Sequence, residues 1–257
     1  MRNYPVFLLT VFFAANCAML RLYTRLVAFD PATGLPLSKR LLWFICFVII
    51  CGAALFVAAC RYSNEYAEER AQPLRFESKF PTALCTIGAF MLIAIGLLSA
   101  VTGRTMLVSI LGEKSIILSA FNIFAGICVI MFVITARGTR GVPNGLPLLA
   151  PTCCFAVELV LFYHETGNNP VLALFFTRTL ALAFLCLSFV YLAGLSFAVS
   201  TPRRCVWLSS LAFVLSVCAV AEGSDVLSIL FFAACAVLQG GFLAALEHKA
   251  NSRQSFR

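Results

Sequence analysis

Long apolar runs separated by short polar segments are the main pattern along this chain. Eight such runs cover residues 5–29, 41–60, 82–103, 115–136, 146–163, 171–199, 205–221 and 226–246. Because an α-helix rises about 1.5 Å per residue, roughly 20 residues cross the ~30 Å hydrocarbon core of a bilayer. The pattern therefore predicts an all-α, polytopic bundle of about eight transmembrane helices.

The polar segments between the runs predict where helices end. Residues 61–81 form the longest of them, with Glu and Arg intermixed. Arg61 and Glu65 stand four positions apart, which favours a second helix that continues out of the bilayer until Pro73 stops it. Pro151 falls in the first turns of the fifth helix, where its missing N–H costs little. A basic tail, residues 247–257, ends what we predict to be a single integral membrane domain.

Composition narrows the class of protein further. Hydrophobic residues make up 61% of the 257 residues and charged residues 12%, against about 25% charged in a soluble domain. The 19 Lys and Arg exceed the 11 Asp and Glu, but they lie mostly at the ends of the predicted helices. Anionic lipid headgroups attract basic residues there, and no basic face interleaved with aromatic residues is present. We expect the lipid bilayer as a partner and no nucleic acid.

The distribution of Lys and Arg predicts the orientation of the bundle. The side that holds both termini carries twelve of these residues and the other side six, with Arg178 left inside the sixth helix. Cytoplasmic loops retain Lys and Arg. We therefore predict a multi-pass protein of the cell membrane with both termini in the cytoplasm.

The twelve cysteines lie mostly inside the apolar runs, and none forms a C-x-x-C pair. A free cysteine packs as a small hydrophobic residue. The favoured interpretation is that these thiols face lipid or pack between helices, with a metal site inside the membrane as the alternative. We expect no cofactor.

The end of the first run carries a short motif. Arg21 and Arg25 precede residues 30–35, which read D-P-A-T-G-L. This segment resembles one in uncharacterised polytopic membrane proteins of anaerobic Gram-positive bacteria. The resemblance implies a bacterial plasma membrane and transfers no function. If the first helix reaches Phe29, the two arginines are expected to extend to the headgroups. Asp30 and Gly34 favour a structural turn over a ligand loop.

Two ionisable side chains lie clearly within apolar runs, Glu158 in the fifth helix and Arg178 in the sixth. Glu158 is six residues before His164, and Arg178 is seven residues after Val171. Both therefore lie ~9–10 Å from the same face of the membrane. Consecutive helices are antiparallel neighbours, and an isolated charge costs ~3 kcal/mol inside the bilayer. We predict an ion pair that locks the two helices together.

A solute site is the alternative to a purely structural pair. Glu165 lies two helical turns from Glu158 on the same face, and His164 adjoins it. An outward-facing cavity is then predicted, lined by Glu158, His164, Glu165 and Arg178. Glu222 and Asp225, in the next outer turn, are expected to add negative charge to it. Such a cavity suits a cation or an amine-bearing solute, or a proton relay through the histidine.

Other polar and small residues within the runs predict contacts between helices. We expect hydrogen bonds across helices from the mid-helix amides, which are Asn16, Asn122 and Gln239. Small residues recur every four positions in two helices and predict close helix packing: Ala236, Gly240 and Ala244 in the eighth, and Gly194 with Ala198 in the sixth. Packing within the chain is favoured here over a homodimer.

Catalytic motifs give no support for an enzyme. The pair His164-Glu165 lacks the second histidine of H-E-x-x-H, and no spacing places a nucleophile beside a base. A small-solute transporter or permease-like protein is the leading hypothesis. The alternative is a membrane sensor or scaffold subunit that acts through a protein partner, for which residues 61–81 are the candidate docking surface.

Overall fold

The computed structural model describes residues 5–27, 40–64, 74–102, 114–137, 144–166, 172–197, 199–223 and 225–254. This part of the chain contains eight α-helices, all long and apolar enough to cross a membrane. They are α1 (Pro5–Val27), α2 (Arg40–Asn64), α3 (Lys79–Thr102), α4 (Lys114–Arg137), α5 (Leu149–Thr166), α6 (Leu172–Ser196), α7 (Pro202–Glu222) and α8 (Val226–Gln254). The predicted all-α, multi-pass bundle is confirmed for the described residues.

The ends of several helices differ from the predicted runs by a few residues. The helix α2 continues four residues past position 60, as the charges at Arg61 and Glu65 favoured, while positions 65–73 lie outside the described residues. The helix α7 begins earlier than predicted, at Pro202, which occupies the first helical position after Thr201. Pro151 lies near the start of α5, one turn after the 3₁₀ turn Leu146–Leu148.

The eighth helix is longer than the predicted run, which ended at residue 246. The helix α8 extends to Gln254, so residues 247–254 continue the helix beyond position 246. Glu247 and His248 are buried, with 1% and 6% of their surface exposed. They are buried because α8 lies within the bundle and other helices cover it at these positions.

The hairpin formed by α7 and α8 is the centre of the bundle. The helix α8 packs most extensively on α3 and α7, and α3 in turn packs along α4. The helices α4, α5, α6 and α7 then follow one another as neighbours, so that α3 to α7 form an arc around α8. The helices α1 and α2 form a pair outside this arc, and both contact α7.

Phenylalanine rings fill the space between α8 and the arc. Their centroids lie 5.4–6.3 Å apart in a continuous series that crosses α4, α5, α6 and α8. The series runs through Phe76, Phe132, Phe242, Phe189, Phe155, Phe231 and Phe232. Each of these side chains is at most 4% exposed. Tilted and edge-on rings pack densely, so this series of rings fixes the positions of the surrounding helices.

The cysteines behave as the sequence indicates. All twelve are free, and eight of them are buried. Cys17 of α1 and Cys51 of α2 bring their sulfur atoms to 3.9 Å, which is a packing contact. These thiols therefore pack between helices as small hydrophobic side chains.

The small residues of α8 also pack within the chain. Ala236, Gly240 and Ala244 are all buried in the single protomer. This agrees with the predicted internal packing. The carbonyl oxygen of Gly194 accepts hydrogen bonds from the amides of Val199 and Ser200 beyond the end of α6. Ala198 lies outside the described residues, so close packing of this pair stays a prediction.

Candidate functional site

The predicted ion pair between Glu158 and Arg178 does not form. Glu158 of α5 accepts a hydrogen bond from the side-chain amide of Asn122 in α4, at 3.3 Å. Arg178 of α6 donates from Nη2 to the backbone carbonyl oxygen of Glu222, also at 3.3 Å. The two side chains project from their helices toward different neighbours. Matched depth along the membrane normal therefore was not sufficient to predict the pair.

A buried ion pair lies instead between α1 and α7. Nη2 of Arg21 is 3.0 Å from Oε1 of Glu222, and the two side chains are 1% and 6% exposed. The guanidinium carbon of Arg21 also lies 5.3 Å from the centroid of the Phe44 ring in α2. The expectation that Arg21 extends to the headgroups is therefore wrong. Its partner on α7 and the ring on α2 hold it inside the protein.

Two further arginines surround the end of α7. Arg25 donates from Nη1 to the carbonyl oxygens of Glu222 and Gly223, at 3.1 and 3.3 Å. Arg178 also donates to the carbonyl oxygen of Glu222. Asp225 lies close enough to Arg178 to interact with it electrostatically. The last carbonyl groups of a helix have no partner within the helix and form the negative end of its dipole, so basic side chains are stabilised there.

We call this group the arginine cluster, and it consists of Arg21, Arg25, Arg178, Glu222 and Asp225. It contains three positive and two negative side chains from α1, α6, the end of α7 and the residue just before α8.

Several buried polar atoms of the arginine cluster make no hydrogen bond. They are Nε of Arg178, Oε2 of Glu222 and, beside them, Oγ1 of Thr177. The Thr177 side chain is fully buried and lies close enough to Glu222 to interact with its carboxylate. Because a buried polar atom without a partner costs about 1–3 kcal/mol, the cluster retains capacity to bind a further polar group.

Glu158 belongs to a second, separate polar group. Asn122 donates to its Oε1 atom, and the Oδ1 atom of the same amide accepts from the thiol of Cys154 at 3.2 Å. Oε2 of Glu158 has no hydrogen-bond partner. Glu158 also lines a small cavity, which we call the Glu158 cavity, together with Ile95, Ser99, Leu118, Asn122, Leu227 and Phe231.

The remaining residues of the predicted outward-facing cavity do not complete a site with these two groups. His164 is exposed near the end of α5, and the side chain of Glu165 lies outside the described residues. Of the two acids predicted to add negative charge, Glu222 pairs with Arg21, and Asp225 lies beside Arg178. The single cavity predicted from the sequence is thus replaced by an arginine cluster and a distinct carboxyl cavity.

The mid-helix amides follow the prediction in two cases out of three. Asn122 bonds across helices to Glu158, and Oε1 of Gln239 in α8 accepts from the hydroxyl of Ser188 in α6 at 2.8 Å. Ser188 also lies 3.0 Å from the hydroxyl of Ser209 in α7, so three helices share this network. Asn16 is exposed and donates to the carbonyl oxygen of Phe12 in its own helix.

The sequence did not predict that Arg21 and Arg25 contact Glu222. The available signal was the spacing of the two arginines, four positions apart on one face of α1. Glu222 stands at the last position of α7, where a charged residue is ordinary. Its burial depends on α1 and α6, which lie far from it in the sequence.

The fold and these two sites define a class: a multi-pass, all-helical membrane protein with charged groups buried inside its bundle. No family model, curated protein or solved structure matches the chain. Among the described side chains, no group of three or more His, Cys, Asp or Glu is placed to hold a metal ion.

Proposed function

We propose that this protein transports a small anionic solute across the cell membrane and binds it at the arginine cluster. The observation that carries the proposal is Arg178, which is 7% exposed and leaves its Nε–H without a hydrogen-bond acceptor. A guanidinium group presents N–H groups in a fixed, planar fork that matches the oxygens of a carboxylate or phosphate.

The number of arginines supports a role beyond the clamping of helices. An ion pair between Arg21 of α1 and Glu222 of α7 would by itself be enough to neutralise both buried charges and link the two helices. Arg25 and Arg178 add two more positive charges, and Asp225 is the further acid that the described residues place near them. Three positive side chains, the buried Arg178 among them, face two negative ones, so the net positive charge of the cluster favours a negatively charged ligand. The amine-bearing solute considered from the sequence is therefore less suitable than an anion.

The position of the arginine cluster suits a transport cycle. Arg21 and Arg25 belong to the outer pair of helices, α1 and α2, whereas Arg178 belongs to the arc around α8. Movement of the outer pair relative to the arc would change the spacing of the arginines. Alternating access in many transporters is a rigid-body movement of one group of helices against another around a fixed binding site.

The test begins with binding to the purified protein. We expect at least one anion from a panel of inorganic phosphate, sulfate, succinate, lactate and glutamate to raise the melting temperature in lipid nanodiscs. Arg178→Gln should weaken that binding about tenfold or more, because a hydrogen bond to a charged group contributes about 1.5–3 kcal/mol. Arg137→Gln, at an exposed arginine at the end of α4, is the matched control and should bind normally.

Uptake of the same anion into proteoliposomes then separates transport from binding alone. Wild-type protein should accumulate the labelled anion, and Arg178→Gln should lose most of this uptake. Failure of every anion in the panel to stabilise the wild-type protein, or unchanged affinity in Arg178→Gln, would contradict the proposal. Binding without uptake would favour the alternative of a sensor that acts through a protein partner.

A further inference from the structure

Glu158 is a buried carboxyl group whose two oxygens have different surroundings. The side chain is 2% exposed, and its Oε1 atom accepts the hydrogen bond from Asn122. Its Oε2 atom has no hydrogen-bond partner, although the residue lines a cavity between α3, α4, α5 and α8. The cavity leaves about 10 Å³ for the centre of a water molecule, which is close to what one water requires.

The groups that face Glu158 carry no positive charge among the described residues. The helix α4 contributes the neutral amide of Asn122, and α3 contributes the hydroxyl of Ser99 to the cavity. The titratable neighbours are two thiols, Cys154 on its own helix and Cys235 on α8, both within electrostatic reach. An ionised carboxylate without a counter-charge is strongly disfavoured in such surroundings, whereas the neutral acid is accommodated.

The hydrogen bonds specify where a proton would reside. The Nδ2 atom of Asn122 donates a hydrogen bond to Oε1 of Glu158, and the Oδ1 atom of Asn122 accepts one from the thiol of Cys154. Oε1 therefore acts as an acceptor, and the acid proton belongs on Oε2, the oxygen that is left without a partner. A water molecule in the cavity would accept that proton, with the Ser99 hydroxyl and the Asn122 amide among its neighbours.

We propose that Glu158 is a reversible proton-binding site inside the membrane, with a water molecule in the Glu158 cavity as its exchange partner. In the release step the O–H bond at Oε2 breaks, its electron pair remains on the carboxylate, and the proton joins the water oxygen to give hydronium. Binding is the reverse of this step. The site stands on the geometry of α3, α4, α5 and α8 and does not depend on the transported solute.

The proton site also extends the proposed transport function, and this extension rests on that function. Leu227 in the first turn of α8 lines the Glu158 cavity, and Asp225 two residues earlier interacts electrostatically with Arg178. The turn between α7 and α8 thus connects the two sites. A proton that travels with an anion offsets the anion's charge, so we infer that the two are carried together.

The site itself is tested with dicyclohexylcarbodiimide on the full chain in lipid nanodiscs. The acid proton transfers to a carbodiimide nitrogen while the carboxyl oxygen adds to the central carbon, so the adduct contains every atom of both reactants. Because the reaction needs the protonated acid, we expect peptide mapping by mass spectrometry to place the adduct on Glu158. The yield should fall as the pH is raised.

Three comparisons make the labelling experiment decisive. Glu158→Gln should abolish this adduct, and Glu77→Gln, at an exposed acid, should retain it. Glu222 serves as an internal control in the wild-type protein, because its ion pair with Arg21 should keep it unlabelled. An unlabelled Glu158 at acidic pH, or labelling that does not change with pH, would overturn the proton site; both readings use the wild-type protein alone.

Transport is measured separately, so that the two proposals can fail independently. With the anion identified at the arginine cluster, a pH gradient across proteoliposomes should drive wild-type uptake. Glu158→Gln should bind the anion yet lose most of its response to the gradient. Wild-type uptake that ignores the gradient would refute the coupling but leave the labelled site in place. Labelling of Glu158 without any anion uptake would refute transport alone.

Discussion

At the scale of the residue, Arg21 shows how a charged side chain is accommodated inside an apolar bundle. It is 1% exposed, and its guanidinium group meets the Glu222 carboxylate at 3.0 Å and the Phe44 ring at 5.3 Å. Such a pair is stable only when both charges are present, because either one alone is left uncompensated in a low dielectric. The hydrophobic bundle therefore makes the two residues strongly dependent on each other.

This dependence gives a quantitative prediction for a double-mutant cycle. Arg21→Met or Glu222→Met alone should lower the free energy of unfolding by about 3–5 kcal/mol, and the double variant should recover much of the loss. Unfolding in SDS, followed by circular dichroism, supplies the free energies. Arg204→Met, at an exposed arginine near the start of α7, is the matched control. Additive losses in the double variant would show that the two residues are not coupled.

At the scale of the element, glycines set the close approach of α3 and α4. A methyl group built on Gly126 would lie 2.8 Å from the carbonyl oxygen of Ala89, and one built on Gly96 would lie 2.8 Å from that of Ser119. Each helix thus presents a glycine to the backbone of the other. In a membrane, where lipid competes equally for apolar side chains, such close packing is a main source of helix association.

Substitution of one of these glycines should separate the helices. Gly126→Ala forces the new methyl group against a backbone oxygen that cannot rotate away, and we expect a loss of about 1–3 kcal/mol. Gly52→Ala is the matched control in α2, since its methyl group would meet Leu211 at an ordinary 3.5 Å. Thermal melting in detergent should show a lower midpoint for the first variant only. Equal midpoints would indicate that α3 and α4 adjust without strain.

The central helices were also the hardest elements to interpret from the sequence. In α7, Ser209, Ser210 and Ser216 are fully buried, and the predicted run was the shortest of the eight. A helix that other helices enclose is shielded from lipid, so it tolerates hydroxyl groups that a lipid-facing helix would not. The position of α7 in the bundle therefore explains why it accommodates these three serines.

At the scale of the whole molecule, a carboxylate joins the two ends of the described chain. Oε1 and Oε2 of Glu247 in α8 accept hydrogen bonds from the amides of Val6 and Phe7, at 2.9 and 3.0 Å. The first amides of a helix lack partners within the helix, and a negative charge is favourable at that end. This contact holds α1 on the bundle at the face opposite the arginine cluster.

Removal of this carboxylate should loosen the first helix. In Glu247→Ala the buried amide of Val6 and the part-buried amide of Phe7 lose their acceptors, at a cost of about 1–3 kcal/mol for a fully buried group. Hydrogen–deuterium exchange at Val6 and Phe7 should accelerate, while exchange in α3 and α4 remains slow. Glu77→Gln, at an exposed acid before α3, provides the control and should exchange as the wild type does. Unchanged exchange at the two amides would show that α1 is held by its packing alone.

The sequence by itself determined the class of fold, because the thickness of a bilayer translates directly into a length of apolar chain. It thereby predicted eight helices, their approximate ends and the packing of free cysteines. The sequence did not predict which residues each side chain contacts. These helices are apolar on nearly every side, so their periodicity does not mark which face is buried.

Which charged groups contact each other depends on the tertiary fold. The fold pairs Arg21 with Glu222, 201 positions later in the sequence, and places Arg178 in the same cluster. Glu158 instead accepts a hydrogen bond from Asn122 and lines a separate cavity. The physical reason is that depth in the membrane follows from position along the chain, whereas the rotation of each helix about its axis depends on packing against all its neighbours at once.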